Sequence, residues 1–225
     1  MKYLNLKKHI ATVLFFTLLM YPIYKVQSQD SNLGNWLIYI GNKKLKNNWN
    51  LHHEVQLRSY NTIGDLEQLL LRTGLGYSFN ETKSNILLGY GYITSENYFG
   101  TTDQKFTVNE HRIFQQLTTK QRIGIVSVNH RYRFEQRFVE EEFKMRFRYF
   151  LAINIPFNKE KDNIYFSAYN EIFLNTKTSI FDRNRIYAGI GYKINKNIRL
   201  EAGYMNQFFE TTSRDQLNII SFVNF

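Results

Sequence analysis

The chain has 225 residues with 29 basic against 19 acidic side chains, a formal charge of +10. The absence of cysteine excludes disulfides, thiolate metal sites and a lipid-modified N-terminal cysteine. Negative mean hydropathy excludes a helical membrane bundle. It does not exclude a β-barrel, in which half of each strand faces water.

Residues 1–28 read as a cleaved secretory signal peptide. Lys2, Lys7 and Lys8 form a basic head, and Ile10 to Tyr21 is an apolar run shorter than the roughly 20 residues of a spanning helix. Val26-Gln27-Ser28 then places small residues before a cut, with an uncleaved anchor as the alternative. Removing this segment takes Lys2, Lys7, Lys8 and Lys25 and no acid, which leaves 25 basic against 19 acidic side chains, or +6. That excess alternates with apolar residues or sits in turns such as Lys43-Lys44-Leu45-Lys46, which is no nucleic-acid footprint.

Residues 29–225 read as one all-β domain. Gly34 to Gly41 is a short strand-like piece with Trp36, Ile38 and Ile40. From Trp49, the residues Leu51, His53, Val55 and Leu57 alternate with Asn50, His52, Glu54, Gln56 and Arg58. Glu67 to Phe79 and Asn85 to Thr94 turn Leu69, Leu71, Leu75, Tyr77, Ile86, Leu88, Tyr90 and Tyr92 outward. Their glycines Gly74, Gly76, Gly89 and Gly91 face inward, where they relieve crowding. Ser95 to Lys105 reads as a loop, and Thr107 to Thr118 resumes the alternation with Glu110, Arg112 and Gln116 on its polar face.

After a turn at Thr119 to Arg122, a long hairpin occupies Ile123 to Phe157. Asn129, Arg131, Arg133, Glu135 and Arg137 share one face of its first arm, and His130, Tyr132, Phe134 and Phe138 the other. The second arm sets Lys144, Arg146 and Arg148 against Met145, Phe147, Tyr149 and Leu151, with Glu140-Glu141-Glu142 closing the hairpin. Each arm exceeds the roughly 9–11 residues that cross a bilayer as a tilted strand. Asn163 to Asn175 places Tyr169 and Glu171 inside. Asn184 to Ile194 and Asn197 to Glu210 follow, joined by a turn at Asn195-Lys196, and Arg214 to Phe225 ends the chain. Tight turns near Lys83, Lys120, Lys161 and Lys196 alternate with longer connections around Gly64, Gly100 and Ser179.

These features predict a single antiparallel transmembrane β-barrel of about ten strands, an even number being the rule for single bacterial chains. The Trp36 piece is then an extra segment outside the ladder, and twelve strands is the alternative count. Ile219, Val223 and Phe225 lie on one face, and this terminal aromatic pattern resembles the sorting signal of bacterial outer-membrane barrels. Trp36, Trp49-Asn50-Leu51, Arg72 to Tyr77, Glu110-His111-Arg112, His130 to Phe138 and Arg185 to Tyr192 together resemble the uncharacterised outer-membrane barrel families of Gram-negative bacteria. The resemblance implies an outer-membrane location, with outer-membrane lipid and the barrel assembly machinery as partners, and no mechanism.

The inward charges form the main functional constellation: Glu54, Arg58, Arg72, Glu110, Arg112, Arg131, Arg133, Glu135, Arg137, Arg146, Arg148, Glu171, Arg185, Arg199 and Glu201. Two readings remain open, an electropositive lumen that attracts anions and an interior filled by Arg–Glu networks. A lipid-directed hydrolase would need a serine beside His111 or His130. The same-face neighbours are Asn109, Ile113, Val128 and Tyr132, so no catalytic residue is assigned. No metal or cofactor site is expected from the scattered histidines. A soluble secreted β-protein with a ligand cleft is the other alternative.

Overall fold

A computed structural model describes residues 33–225 except 63, 82, 159–162 and 178. The expected leader over 1–28 and the expected start of the barrel domain at 29 lie outside the described residues. Eleven strands run in chain order: β1 (Gly34–Lys44), β2 (Trp49–Ser59), β3 (Leu66–Phe79), β4 (Ser84–Tyr98), β5 (Lys105–Ile123), β6 (Val126–Val139), β7 (Glu142–Pro156), β8 (Ile164–Asn175), β9 (Phe181–Lys193), β10 (Ile198–Phe208) and β11 (Ser213–Asn224). Each pairs antiparallel with its sequence neighbour, and β1 pairs parallel with β11 to close the barrel. Among the described residues there is no helix.

The count of eleven corrects the expected ten and the alternative twelve. The Trp36 piece is a full strand inside the ladder, aligned from Gly34 opposite Gln216 to Asn42 opposite Asn224. Even the last residue joins in: the Phe225 amide donates to the Asn42 carbonyl at 2.8 Å, and its own carbonyl accepts from the Lys44 amide at 3.1 Å. Period-two reasoning undervalued β1 because Trp36 and Ile38 are buried inside while Leu37 is exposed outside, so both faces are apolar and nothing alternates. An odd count also puts residue 33 and Phe225 at opposite ends of the barrel.

Two connections differ from expectation. The segment Thr119 to Arg122 is strand, and β5 turns into β6 at Gly124–Ile125, where Gly124 adopts φ +62. The connection around Lys161 spans 157–163 and is as long as those at the other end, so tight turns and long loops do not segregate cleanly.

The sheet curls around its glycines. Phe114 on β5 lies directly opposite Gly89 on β4, and Tyr165 on β8 opposite Gly191 on β9, so each ring covers the space a side chain would need. Aromatic cover of a strand glycine lets a tightly curved wall keep its packing. Trp36, Ile38, Tyr187, Met205 and Ile220 form an apolar cluster inside the barrel, on β1 and β9–β11. We expect Gly191→Val to displace the Tyr165 ring and cost about 1–3 kcal/mol as an overpacking defect. The outward Ile190→Val change should cost less in urea unfolding, and equal losses would refute the ring-on-glycine account.

Candidate functional site

All fifteen charged residues selected from the sequence project into the interior. Twelve are buried, and Arg131, Arg137 and Arg199 are partly so. The register dictates who meets whom. Glu54 faces Arg72, Glu135 faces Arg146 and Glu171 faces Arg185 across neighbouring strands. Arg112 faces Arg137, and Arg133 faces Arg148. These like charges are tolerable only because carboxylates reach between them.

Glu135 is the hub. It is fully buried and accepts from Arg146 at 2.7 Å and from Arg148 at 2.7 Å, with Arg133 at 3.8 Å. Arg148 turns its other edge to Glu171 (2.6 Å), which also accepts from Arg131 at 2.7 Å and stands 3.7 Å from Arg185. Arg146 spends its remaining nitrogen on Asp182 at 2.7 Å. A second group joins Glu54 to Arg72 (2.8 Å) and Gln56, which in turn accepts from Arg58 at 2.6 Å. In a third, Glu110 bridges Arg112 and Arg137. At the Phe225 end Glu201 accepts from Tyr165 (2.7 Å) and Ser167 (3.0 Å), with Arg199 at 3.6 Å.

Aromatic faces carry guanidiniums with and without carboxylate partners. Trp36 lies between Arg58 (3.8 Å to its ring) and Arg185 (4.7 Å), and Phe173 lies under Arg148 (4.4 Å) and Arg185 (4.5 Å). Such stacking is worth about 0.5–2 kcal/mol a pair. Amide oxygens complete the set, Gln116 accepting from Arg133 and Gln207 from Arg185.

Sequence reading missed Asp182 and Arg183. The β8–β9 register shifts at Phe173/Leu174, and this irregularity turns Asp182 toward Arg146 against the period-two parity of β9. Sequence reading placed Gln56 and Gln116 on the polar face without assigning them to the network, and it did not single out Gln207.

A cavity of about 190 Å³ opens at the end opposite Phe225, and eight of its fifteen lining residues are arginines. At this end the β2–β3 loop is pinned by Asp65, which bonds Lys105 and accepts from Tyr98 at 2.8 Å. Partial burial acts to raise the Asp65 pKa, but the hydrogen bonds and charge of Lys105, with the Tyr98 bond, outweigh it and hold the carboxyl below its ordinary value.

The histidines separate. His52 is buried inside, 3.4 Å from Glu54, whereas His53 faces outward and shares a 2.8 Å hydrogen bond with the Tyr39 hydroxyl. On the outer face His111 bonds the Tyr90 hydroxyl (2.6 Å) and His130 the Tyr149 hydroxyl (2.9 Å). Their hydrogen-bond partners here are phenols and, for His130, the Gln121 amide. Ile219 and Phe225 are exposed outward, with Val223 on the same side.

Two predictions follow from this charge arrangement. Glu135→Ala leaves buried guanidiniums without their acid and should cost about 3–5 kcal/mol. Glu142→Ala, which removes the exposed Lys144 pair, should change little. Urea unfolding compares them, and a tolerated Glu135→Ala would refute the hub assignment. For Asp65, a depressed folded pKa means that its contribution is complete above the unfolded value of about 4 and is lost as pH falls through the lower folded one. Proteolysis at the β2–β3 loop should therefore accelerate below about pH 4, and Asp65→Asn should cut faster already at pH 7. A loop equally resistant in wild type and variant at pH 7 would exclude the pin.

A curated relative, an uncharacterised protein of Methylorubrum extorquens, is 31% identical over 170 residues, which is 70% of this chain and 71% of that protein. No solved structure matches the chain. A family model described as "Protein of unknown function (DUF2490)" matches residues 33–218, nearly the whole barrel, and the chain belongs to that family.

Proposed function

We propose that this protein is an outer-membrane β-barrel with a non-enzymatic role, its lumen closed by its own side chains. The observation that carries the reading is inversion. From Val126 to Phe138 and from Phe143 to Ile155 no outward position holds Asp, Glu, Lys or Arg, while the inward face of the same strands holds the ion network. A soluble β-protein hides its apolar faces and solvates its charges. A membrane barrel does the opposite, with aromatic residues near both rims. Trp49, Tyr77, Phe79 and Tyr192 are exposed near the Phe225 end, and Phe99, Phe106, Phe138 and Phe143 near the other. Every strand has at least 11 residues, enough for a tilted crossing. The odd strand count departs from the bacterial rule, so the reading rests on the surface and not on the count.

Interior packing favours a wall over a pore. An eight-stranded barrel is just filled by side chains, and eleven strands need larger ones; arginines stacked on Trp36 and Phe173 supply the bulk. The outward face of Ile219 and Val223 on β11, continued by Phe225, supports recognition by the assembly machinery, and the residues before β1 would include the export signal.

The mature protein should fractionate with outer membranes and run faster unboiled than boiled in a cold-detergent gel. Recovery in the soluble fraction with no heat shift would sink the membrane reading. In planar bilayers the wild type should pass no steady current, and the double change Trp36→Ala, Met205→Ala should open measurable conductance. Ohmic current through the wild type would replace the wall with a pore.

A further inference from the structure

The interior charges do not balance, and the imbalance is concentrated in one place. The cavity at the end opposite Phe225 is lined by eight arginines and a single acid, Glu110. Among the described residues, the carboxylates that reach those arginines within 4 Å number five: Glu54, Glu110, Glu135, Glu171 and Asp182. Glu135 and Glu171 are further shared with Arg133 and Arg131, which lie deeper. Arg58, also on the cavity wall, is held by the amide oxygens of Gln56 and Gln68. The Nε of Arg72 is buried without a hydrogen-bond partner among the described residues.

A buried cation without an opposing charge is among the costliest features a fold can carry. Eight guanidiniums against five shared carboxylates therefore leave a standing demand for negative charge inside this cavity. Guanidinium forks match tetrahedral oxyanions, offering paired N–H donors to two oxygens at once. The volume of about 190 Å³ equals the liquid volume of about six waters, which is room for one or two phosphate groups.

We propose that this arginine-lined cavity is a binding site for a phosphate-bearing anion. Arg58, Arg72 and Arg183 would supply the donors, and Glu110 would hold Arg112 and Arg137 in place at the wall. The phosphate is either that of a free phosphorylated solute or that of a lipid headgroup leaning over the rim. The site is a property of the barrel interior, so it stands independently of the membrane reading.

The protein carries its own reporter. Trp36 stacks under Arg58 and Arg185, both on the cavity wall, and the other tryptophan, Trp49, lies near the opposite end and can be replaced by Phe. In the full barrel carrying Trp49→Phe, inorganic phosphate and pyrophosphate are titrated at constant ionic strength. We expect a saturable change in Trp36 fluorescence, tighter for pyrophosphate. Arg58→Gln and the more exposed Arg183→Gln should each weaken it roughly ten-fold or more, the worth of one charge-assisted contact. Arg122→Gln, near the Phe225 end, should leave it unchanged.

Vesicles of a phosphate-headgroup lipid then compete with pyrophosphate, against vesicles of a neutral glycolipid. Competition by the phosphate lipid alone assigns the lipid source, and absence of competition assigns the free solute. A response no larger than chloride gives at equal ionic strength, or one untouched by both arginine variants in a barrel that retains its native circular dichroism, overturns the site. If the barrel proves soluble, the same titration runs without detergent, so loss of the membrane reading and loss of this one are separately visible.

Discussion

A guanidinium enclosed by a closed β-sheet cannot shed its charge, and the interior of this barrel is organised by that constraint. Arg133, Arg146 and Arg148 enter from two adjacent strands, and their pairing register is set by backbone hydrogen bonds before any side chain is placed. Once the register is fixed, the acids must stand where the guanidiniums meet. Glu135 lies opposite Arg146 and touches Arg148 as well, and Glu171 collects Arg148 from the neighbouring strand and Arg131 from the one beyond it. Each acid serves more than one base, so truncating an acid does more damage than truncating any single arginine.

The rest of the interior follows from the fact that acids run short. Where a carboxylate is not available, a guanidinium lies on an aromatic face or against an amide oxygen, as Arg58 lies on Trp36 and donates to Gln56 and Gln68. This division gives the barrel two sides. The ionic side runs along β2 to β9, and the apolar cluster of Trp36, Ile38, Tyr187, Met205 and Ile220 fills the side where β9 to β11 meet β1. Trp36 belongs to both, with its ring in the apolar cluster and its faces under two cations. It is the residue where the two kinds of packing are joined.

Much of this was legible in the sequence, for a definite physical reason. On β6 and β7 a period of two gathers the arginines on one face over more than a dozen residues, with Phe150 the one phenylalanine among them, and no helix could gather those side chains so. The fifteen inward charges were readable for the same reason. The signal failed where hydropathy does not alternate or where the backbone slips. On β1 both faces are apolar, so the strand that closes the barrel reads as an appendage. At the β8–β9 irregularity Asp182 points against parity, so a member of the network is invisible to counting. The pairings between strands, such as Arg131 on β6 with Glu171 on β8 over the intervening Phe150, depend on the register of the ladders, and one-dimensional spacing holds no information about it.

Closure itself sets the asymmetry of the molecule. An antiparallel sheet of eleven strands can close only if its first and last strands run the same way, and here they do so over nine aligned pairs from Gly34 to Asn42. Parallel pairing is slightly less stable per residue than antiparallel, which makes the β1–β11 seam the weakest ladder on intrinsic grounds. The packing compensates where it is needed: Trp36 and Ile38 from β1 and Ile220 from β11 belong to the same buried cluster, and Phe225 extends the hydrogen bonding past the end of β11. The apolar side of the interior thus lies behind the seam, and the charges lie against antiparallel ladders that need no such support. Even there the interior is mixed, with the buried amides of Gln216 and Asn218 set beside Trp36, Ile38 and Ile220 where the parallel ladder closes the wall.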